Sequence, residues 1–169
     1  NAAINSASIF KTTNSLAITG NLSITGEASE ADDSTEIPEA QLPGVTAKGL
    51  TVGGNAEVTN GRLITSGTTK VTGDLSVSGS RLEANDLTLG GKLTVDNEGE
   101  AYVGGSNLTL TQDKTSVTGG SWLHLSSGTL QADNLDSVIT TGSHLDLLDT
   151  AVLATKADQI FTNADTNAS

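Results

Sequence analysis

The chain has 169 residues, a length that suits one domain with a core of its own. Hydrophobic residues make up 35% of the chain and aromatic residues only 2%, so Leu, Val, Ile and Ala must fill that core. The net charge of −12 disfavours nucleic acid and anionic membranes as partners, and the lack of cysteine excludes disulfides, thiol catalysis and iron–sulfur sites.

Residues 1–25 contain short apolar–polar alternations such as SLAITG and NLSITG, which are typical of short strands. We expect them to form the first rungs, or the N-terminal edge, of a repeating structure. Residues 26–47 lose the alternation and carry both prolines of the chain, so they are predicted to be an acidic, exposed loop or a linker between the first rungs and the main stack. Six carboxylates in this loop are the candidate contact residues: Glu27, Glu30, Asp32, Asp33, Glu36 and Glu39.

Residues 48–147 repeat short apolar triplets at nearly constant distances. Steps of 19, 19, 22 and 22 residues separate the members of a first series, which are Leu63, Leu82, Ala101, Leu123 and Leu145. A second series contains Leu50, TKV at 69–71, Leu87, Leu108 and Leu130. A third contains Ala56, Leu75 and Leu93 and, more loosely, Val117 and Val138. Three short strands that recur every 18–22 residues predict a solenoid.

The predicted fold class is an all-β, single-stranded, right-handed parallel β-helix with three short strands per coil. Inward aliphatic side chains would stack into columns, while Ser, Thr, Asp and Lys point outward. Gly54, Gly73 and Gly91 recur at the same period, and we expect them to supply corner angles that only glycine adopts cheaply. Residues 148–169 lose the triplet and are predicted to be the C-terminal edge and a frayed tail.

The two histidines, His124 and His144, lie 20 residues apart, which is about one coil. They could occupy equivalent positions on neighbouring rungs and share a metal, or they could be ordinary outward strand residues. No Cys/His/Asp spacing of a known zinc type accompanies them, so we predict no metal site and no cofactor.

Two sets of carboxylates are candidates for acid–base work or calcium binding: Asp74, Asp96, Glu98 and Glu100, and Asp133, Asp136, Asp146 and Asp149. Most of them fall at turns, where Asp is simply a favourable residue, so we predict no catalytic residues and no enzyme activity. Tyr102 and Trp122 are interpreted either as isolated sugar-stacking rings or as fillers of a wider coil, and the second is expected.

The repeats LTVGGNAEVTNGRLITSGTTKVTGDLSVSG and LTLGGKLTVDNEGEAYVGGSNLTLTQ resemble passenger regions of bacterial autotransporters and related surface adhesins. The resemblance covers about residues 45–147. It implies a secreted right-handed parallel β-helix on the outer surface of a Gram-negative cell, with a role in adhesion, aggregation or display. The implied partners are host-cell or bacterial surfaces, glycans or like chains. No functional residue is carried over, because no site motif is present.

Two further classes share such repeats. Phage tail-fibre shafts use similar TGNL, VGGN and TGDL phrases with three intertwined chains, and bacterial cytoskeletal β-helices of the bactofilin type polymerise end to end. A β-helical polysaccharide lyase or hydrolase is a third alternative. No apolar run approaches the roughly 20 residues that span a bilayer, so this segment is not predicted to insert into a membrane. Because the chain begins at Asn1, we expect a processed form or an excised fragment.

Overall fold

The computed structural model describes residues 1–5, 8–27, 42–140 and 142–155, and this part of the chain forms β-strands without any α-helix. The strands are β1 (Ala2–Asn5), β2 (Ile9–Lys11), β3 (Ser15–Ile18), β4 (Leu22–Thr25), β5 (Gly44–Ala47), β6 (Gly49–Val52), β7 (Ala56–Thr59), β8 (Arg62–Val71), β9 (Leu75–Ser78), β10 (Arg81–Leu89), β11 (Leu93–Asp96), β12 (Glu100–Val103), β13 (Thr109–Thr111), β14 (Thr115–Val117), β15 (Trp122–Gln131) and β16 (His144–Ala154). Short 3-10 turns cover Gln112–Lys114 and Leu135–Ser137.

The strands stack as a parallel β-solenoid of about 7 turns, which confirms the predicted fold class. A first face is the sheet β1-β4-β7-β9-β11-β14. A second face runs from β2 through β5, β8, β10 and β12 to β15 and β16. The long strands β8, β10, β15 and β16 bend at a corner, and their C-terminal parts contribute to a third face together with β3, β6 and β13.

Aliphatic columns form the core, and the first predicted series is one of them. Each of its members pairs with the next in the parallel register, from Leu63 through Leu82, Ala101 and Leu123 to Leu145. Leu75 and Leu93 are likewise paired one coil apart, and both are fully buried. Because each side chain covers its equivalent in the next coil, the narrow core is filled without aromatic rings.

The other two series contain register errors of one or two residues. Leu110, rather than Leu108, pairs with Leu130. In the third series, Leu93 pairs with Thr115 rather than with Val117, which pairs with Val95. In the next coil, Val117 pairs with Ile139 rather than with Val138. The cause is local: the chain takes three more residues to pass from Val103 to Thr115 than from Ala84 to Leu93, although both ends are paired.

The corner before the first face, which we call the asparagine corner, is held by a ladder of side-chain oxygens. Oδ1 of Asn1 accepts a hydrogen bond from the Asn21 N–H, and Oδ1 of Asn21 accepts from the Asn55 N–H. Oδ1 of Asn55 then accepts from the Asp74 N–H, and Oδ1 of Asp74 accepts from the Lys92 N–H, at 2.8–3.0 Å. The coils from Asn1 to Lys92 are thereby hydrogen-bonded one to the next outside the strands.

This ladder also corrects the expected role of the corner glycines. Gly54, Gly73 and Gly91 do not have positive φ. A Cβ on any of them would overlap the ladder oxygen of the previous coil, which comes from Asn21, Asn55 or Asp74 in the same order. Glycine is therefore required there by space rather than by backbone angle.

Positive φ is found instead at the corner after the first face, which we call the serine corner. Asn60, Gly79 and Asn97 have φ of 48°, 56° and 53°, and Gly119 and Gly120 continue this series in the next coil. Behind it, the buried hydroxyl of Ser80 accepts a hydrogen bond from the Gly61 N–H at 3.0 Å. The same bond recurs from the Gly99 N–H to Ser121, at 3.1 Å. The two corners therefore differ both in backbone conformation and in the hydrogen bonds that join successive coils.

The structure modifies the predicted segment boundaries at two points. Strand β5 lies inside the stretch 26–47 that was assigned to the loop, and it pairs with both β2 and β8. Strand β16 extends to Ala154, inside the predicted C-terminal edge 148–169, and pairs with β15 along its length. Within the described residues, no helix has the length and apolar character needed to cross a membrane.

Candidate functional site

Most of the chemically distinctive side chains share one outward surface of the second face, across four successive coils. Two residues of each strand point outward there, on either side of an inward member of the first series. We call this surface the ring face, and it consists of two columns: Arg81, Glu100, Trp122 and His144, and Glu83, Tyr102, His124 and Asp146. Neighbouring members of a column are one strand spacing apart, about 4.8 Å.

His124 lies at the centre of the ring face and is buried there. Its ring stacks on Tyr102 with a centroid distance of 4.1 Å and lies alongside Trp122 at 5.7 Å. Nδ1 is 2.9 Å from Oδ2 of Asp146. Nε2 is 3.4 Å from Oε1 of Glu100 but does not meet hydrogen-bond geometry. Both ring nitrogens of His124 therefore face carboxylates of the adjoining coils.

Arg81 and Glu100 connect the N-terminal half of the ring face. Arg81 Nε is 2.8 Å from Oε1 of Glu83, and Nη1 is 3.3 Å from Oε2 of Glu100. The Tyr102 hydroxyl donates to Oε1 of Glu100 at 2.6 Å, and the Arg81 guanidinium lies 4.9 Å above the Tyr102 ring. The hydrogen bond to the Glu100 carboxylate, followed by burial, raises the pKa of Tyr102 above its ordinary value.

The rings are stacked along the solenoid axis, so they cover one another's faces. Tyr102 on His124 and Trp122 on His144 are register pairs from adjacent coils, with planes within 5° and 18° and centroids 4.1 and 3.9 Å apart. Solvent therefore meets mainly the ring edges. Both interpretations of the aromatic residues are wrong: Tyr102 and Trp122 do not fill the coil, and neither ring is isolated, because each stacks on a histidine ring of the next coil.

The sequence-predicted candidates are only partly brought together. His124 and His144 are not equivalent, because His124 pairs with Asp146 and His144 pairs with Trp122. The part of the chain that the structure describes contains no group of three or more His, Asp or Glu side chains that could hold a metal. In the first carboxylate set, Asp74 belongs to the asparagine corner and Glu100 to the ring face.

Only Glu27 of the six candidate contact residues in the acidic loop can be placed. It is exposed, two residues beyond the end of β4. The other five, Glu30, Asp32, Asp33, Glu36 and Glu39, lie outside the described residues. Sequence reasoning missed Arg81 and Glu83, although both flank Leu82 of the first series and are therefore outward by alternation.

Two hollows lie on or beside the third face. One, of about 460 Å³, is lined by Asp113, Asp133 and Thr155, among others. The other, of about 380 Å³, lies between Leu89 and Thr109–Thr111. The hydrogen bond that Thr111 donates to Asp113, at 2.7 Å, holds the pKa of that carboxyl below its usual value. No ring-face residue lines either hollow.

No protein-family model, curated protein or solved structure matches the chain. No residue role can therefore be transferred from a relative. The function has to be argued from the stacked coils, the ring face and the third face alone.

Proposed function

We propose that the chain is a non-catalytic, adhesive and structural segment of an extracellular bacterial surface protein. The observation that carries this proposal is the ring face, where charged groups and rings hold one another in fixed positions on a rigid stack. Side chains that are already ordered lose little conformational entropy when a partner covers them. The ring face is thus suited to contact with another surface, such as a host or bacterial cell surface, a glycan coat or a like chain.

The chemistry of the ring face favours contact over catalysis. Active sites are usually concave, whereas these residues project from a sheet and line neither hollow. The raised pKa of Tyr102 keeps its proton in place at neutral pH, so the phenol is a poor general base. Both nitrogens of His124 face carboxylates within the protein, which leaves neither directed towards a substrate.

Weak contacts of this kind become useful when they are repeated. One ring face offers mainly ring edges and carboxylates, and each such contact contributes little alone. Many copies on one cell convert weak single contacts into strong attachment through effective concentration. We propose an extracellular location on the same grounds, together with the resemblance to autotransporter passengers.

The proposal is tested by displaying the chain on a non-adherent bacterium and counting self-aggregation and attachment to host cells. We expect the parent chain to raise at least one of these counts. Trp122→Ser should reduce the gain, because Trp122 is a 38% exposed ring of the ring face. Phe10→Ser is the matched control, because Phe10 is 42% exposed and lies on β2, outside the ring face.

Both variants must first show the parent's surface expression and melting temperature. An equal loss with Trp122→Ser and Phe10→Ser would contradict a role for the ring face. Deletion of residues 28–41 forms a separate arm, which tests the acidic loop as a second contact region. If display changes neither count while the purified chain cleaves an acidic polysaccharide, the β-helical lyase or hydrolase replaces the adhesive proposal.

A further inference from the structure

Three Asn-x-Ser/Thr triplets occur in the chain, beginning at Asn21, Asn107 and Asn167. This triplet is the acceptor signal for N-linked glycosylation, in which the asparagine amide receives a sugar and a hydroxyl residue stands two positions later. In a folded protein the triplet has to lie at the surface, with its amide free to turn towards an enzyme. Asn167 lies outside the described residues, and the other two triplets differ in this respect.

The triplet at Asn21 is part of the asparagine corner. Oδ1 of Asn21 accepts a hydrogen bond from the Asn55 N–H at 3.0 Å, and the Asn21 N–H donates to Asn1 at 2.9 Å. Ser23, the hydroxyl residue, lies on β4, which is paired with β1 on one side and with β7 on the other. Turning the Asn21 amide towards an enzyme would break the ladder between two coils, so the fold protects this triplet.

The triplet at Asn107 begins at the tip of a turn instead. The Leu108 N–H donates to the Gly105 carbonyl at 2.9 Å, which closes a four-residue turn with Ser106 and Asn107 at its central positions. Both central residues are exposed. Within the part of the chain that the structure describes, no group hydrogen-bonds the Asn107 side chain. Its amide is therefore free to turn without a loss to the fold.

The hydroxyl residue of this triplet is also at the surface. Asn107 and Thr109 are exposed, whereas Leu108 between them is only 4% exposed and belongs to the core. The acceptor signal tolerates any middle residue except proline, so the buried leucine is no obstacle. Leu108 anchors the segment, and the amide and the hydroxyl on either side of it both reach solvent.

The turn exists because this coil is longer than the one before it. The chain takes three more residues from Val103 to Thr115 than from Ala84 to Leu93, and it uses them to leave the regular path. Residues 106 and 107 belong to no strand. A sugar on Asn107 would therefore displace no strand pairing and would extend into solvent.

We propose that Asn107 is an N-glycosylation site that receives a sugar from a glycosyl diphosphate donor through a transferase. Nδ2 of Asn107 attacks the anomeric carbon of the donor, and the bond from that carbon to the diphosphate oxygen breaks. Its electron pair leaves with the diphosphate, and a base of the transferase takes one proton from Nδ2. The products are the N-glycosyl amide and the free diphosphate. This inference is independent of the adhesive role.

The test uses the purified, folded Ser23→Thr variant, because both described triplets then read Asn-Leu-Thr. One arm supplies uridine-diphosphate glucose and a soluble N-glycosyltransferase, and the other supplies a lipid-linked oligosaccharide diphosphate and a membrane oligosaccharyltransferase. Peptide mass mapping locates the sugar. In at least one arm we expect modification of Asn107, with Asn21 modified about tenfold more slowly or not at all, because the ladder hydrogen bond opposes its turning.

Two synthetic peptides, ITGNLTITG and GGSNLTLTQ, carry the same triplets without the fold. We expect them to be modified at similar rates, which shows that the enzymes are active and that the fold makes the difference. In the folded chain, Thr109→Val removes the hydroxyl at nearly constant shape and should abolish modification of Asn107, whereas Thr109→Ser should retain it.

Two results would overturn the proposal. The first is an unmodified Asn107 in both arms while the peptide GGSNLTLTQ is modified. The second is equal modification of Asn107 in the parent and in Thr109→Val, each with the parent's melting temperature. Equal rates at Asn21 and Asn107 in the folded chain would overturn the assignment of the turn as the feature that selects Asn107.

Discussion

Replacing Gly73 with alanine tests whether the asparagine corner depends on space for a side-chain ladder. The new Cβ would overlap Oδ1 of Asn55 and lie 3.0 Å from the backbone of Gly54. The Asn55 side chain would have to move, and its hydrogen bond from the Asp74 N–H would be lost. No positive φ opposes alanine at this position, so the effect reports the overlap itself.

The magnitude follows from three contributions. Loss of the hydrogen bond costs about 1 kcal/mol. Crowding against the Gly54 backbone costs about 1 kcal/mol more. The lower entropy of the unfolded alanine chain offsets roughly 0.4–1 kcal/mol. We therefore expect Gly73→Ala to lower the free energy of unfolding by about 1–2 kcal/mol, where an ordinary Gly→Ala change at this φ would raise it.

The assay is a double-mutant cycle with Asn55→Ala, followed by urea unfolding and by hydrogen exchange of the Asp74 amide. Asn55→Ala removes the ladder oxygen, so adding Gly73→Ala should then cost little, and the coupling should reach about 1 kcal/mol. The Asp74 amide should exchange faster in all three variants. Additive effects would refute the ladder as the reason for glycine and would restore a backbone explanation.

Three further changes probe the core, the serine corner and the ring face. Leu75→Asp places a charge at a fully buried position, so we expect thermal unfolding, followed by circular dichroism, to lose its cooperativity. The control Asp74→Asn keeps the side-chain acceptor for the Lys92 N–H and should melt like the parent. A parent-like melt of Leu75→Asp would show that the register is wrong. Gly120→Ala should cost about 1–2 kcal/mol in urea unfolding because of its φ of 75°, and no neighbouring substitution should relieve the loss. Tyr102, the only tyrosine, should ionise above its ordinary pKa in an ultraviolet titration, and Glu100→Gln should shift the midpoint downward. Because the pKa of Tyr102 is higher in the folded than in the unfolded chain, this group stabilises the fold at pH values below about 10, and the contribution is lost as pH rises through the folded pKa. Identical titrations of the parent and Glu100→Gln would contradict the role of Glu100 in raising the pKa.

The coil repeat could be predicted because inward aliphatic residues leave a pattern at the coil period. The register beyond Val103 could not, because Leu108 and Leu110 both satisfy the alternation and differ only in the length of the preceding turn. Alternation identifies the face on which a residue lies, but it leaves shifts of two residues unresolved.

The membership of the ring face was within reach of the sequence. Tyr102, His124 and Asp146 each directly follow a member of the first series. They form one column of the ring face in the structure. The stacking of the rings could not be predicted from the sequence, because alternation shows on which side of the sheet a residue lies but not the torsion angles of its side chain. The corner ladder had a visible signal in the recurring Gly-Asn and Gly-Asp pairs, but the glycine was assigned to the wrong cause.

The two corners also give the stack a chemical polarity. At the asparagine corner, the side chains of Asn1, Asn21, Asn55 and Asp74 each accept a hydrogen bond from a backbone N–H of the following coil. At the serine corner, the hydroxyl of Ser80 or Ser121 accepts a hydrogen bond from a glycine N–H of the preceding coil. Along these coils, the side of a coil that faces the C-terminal end thus carries a side-chain acceptor at one corner and a backbone N–H donor at the other, and the side that faces the N-terminal end carries the reverse pair.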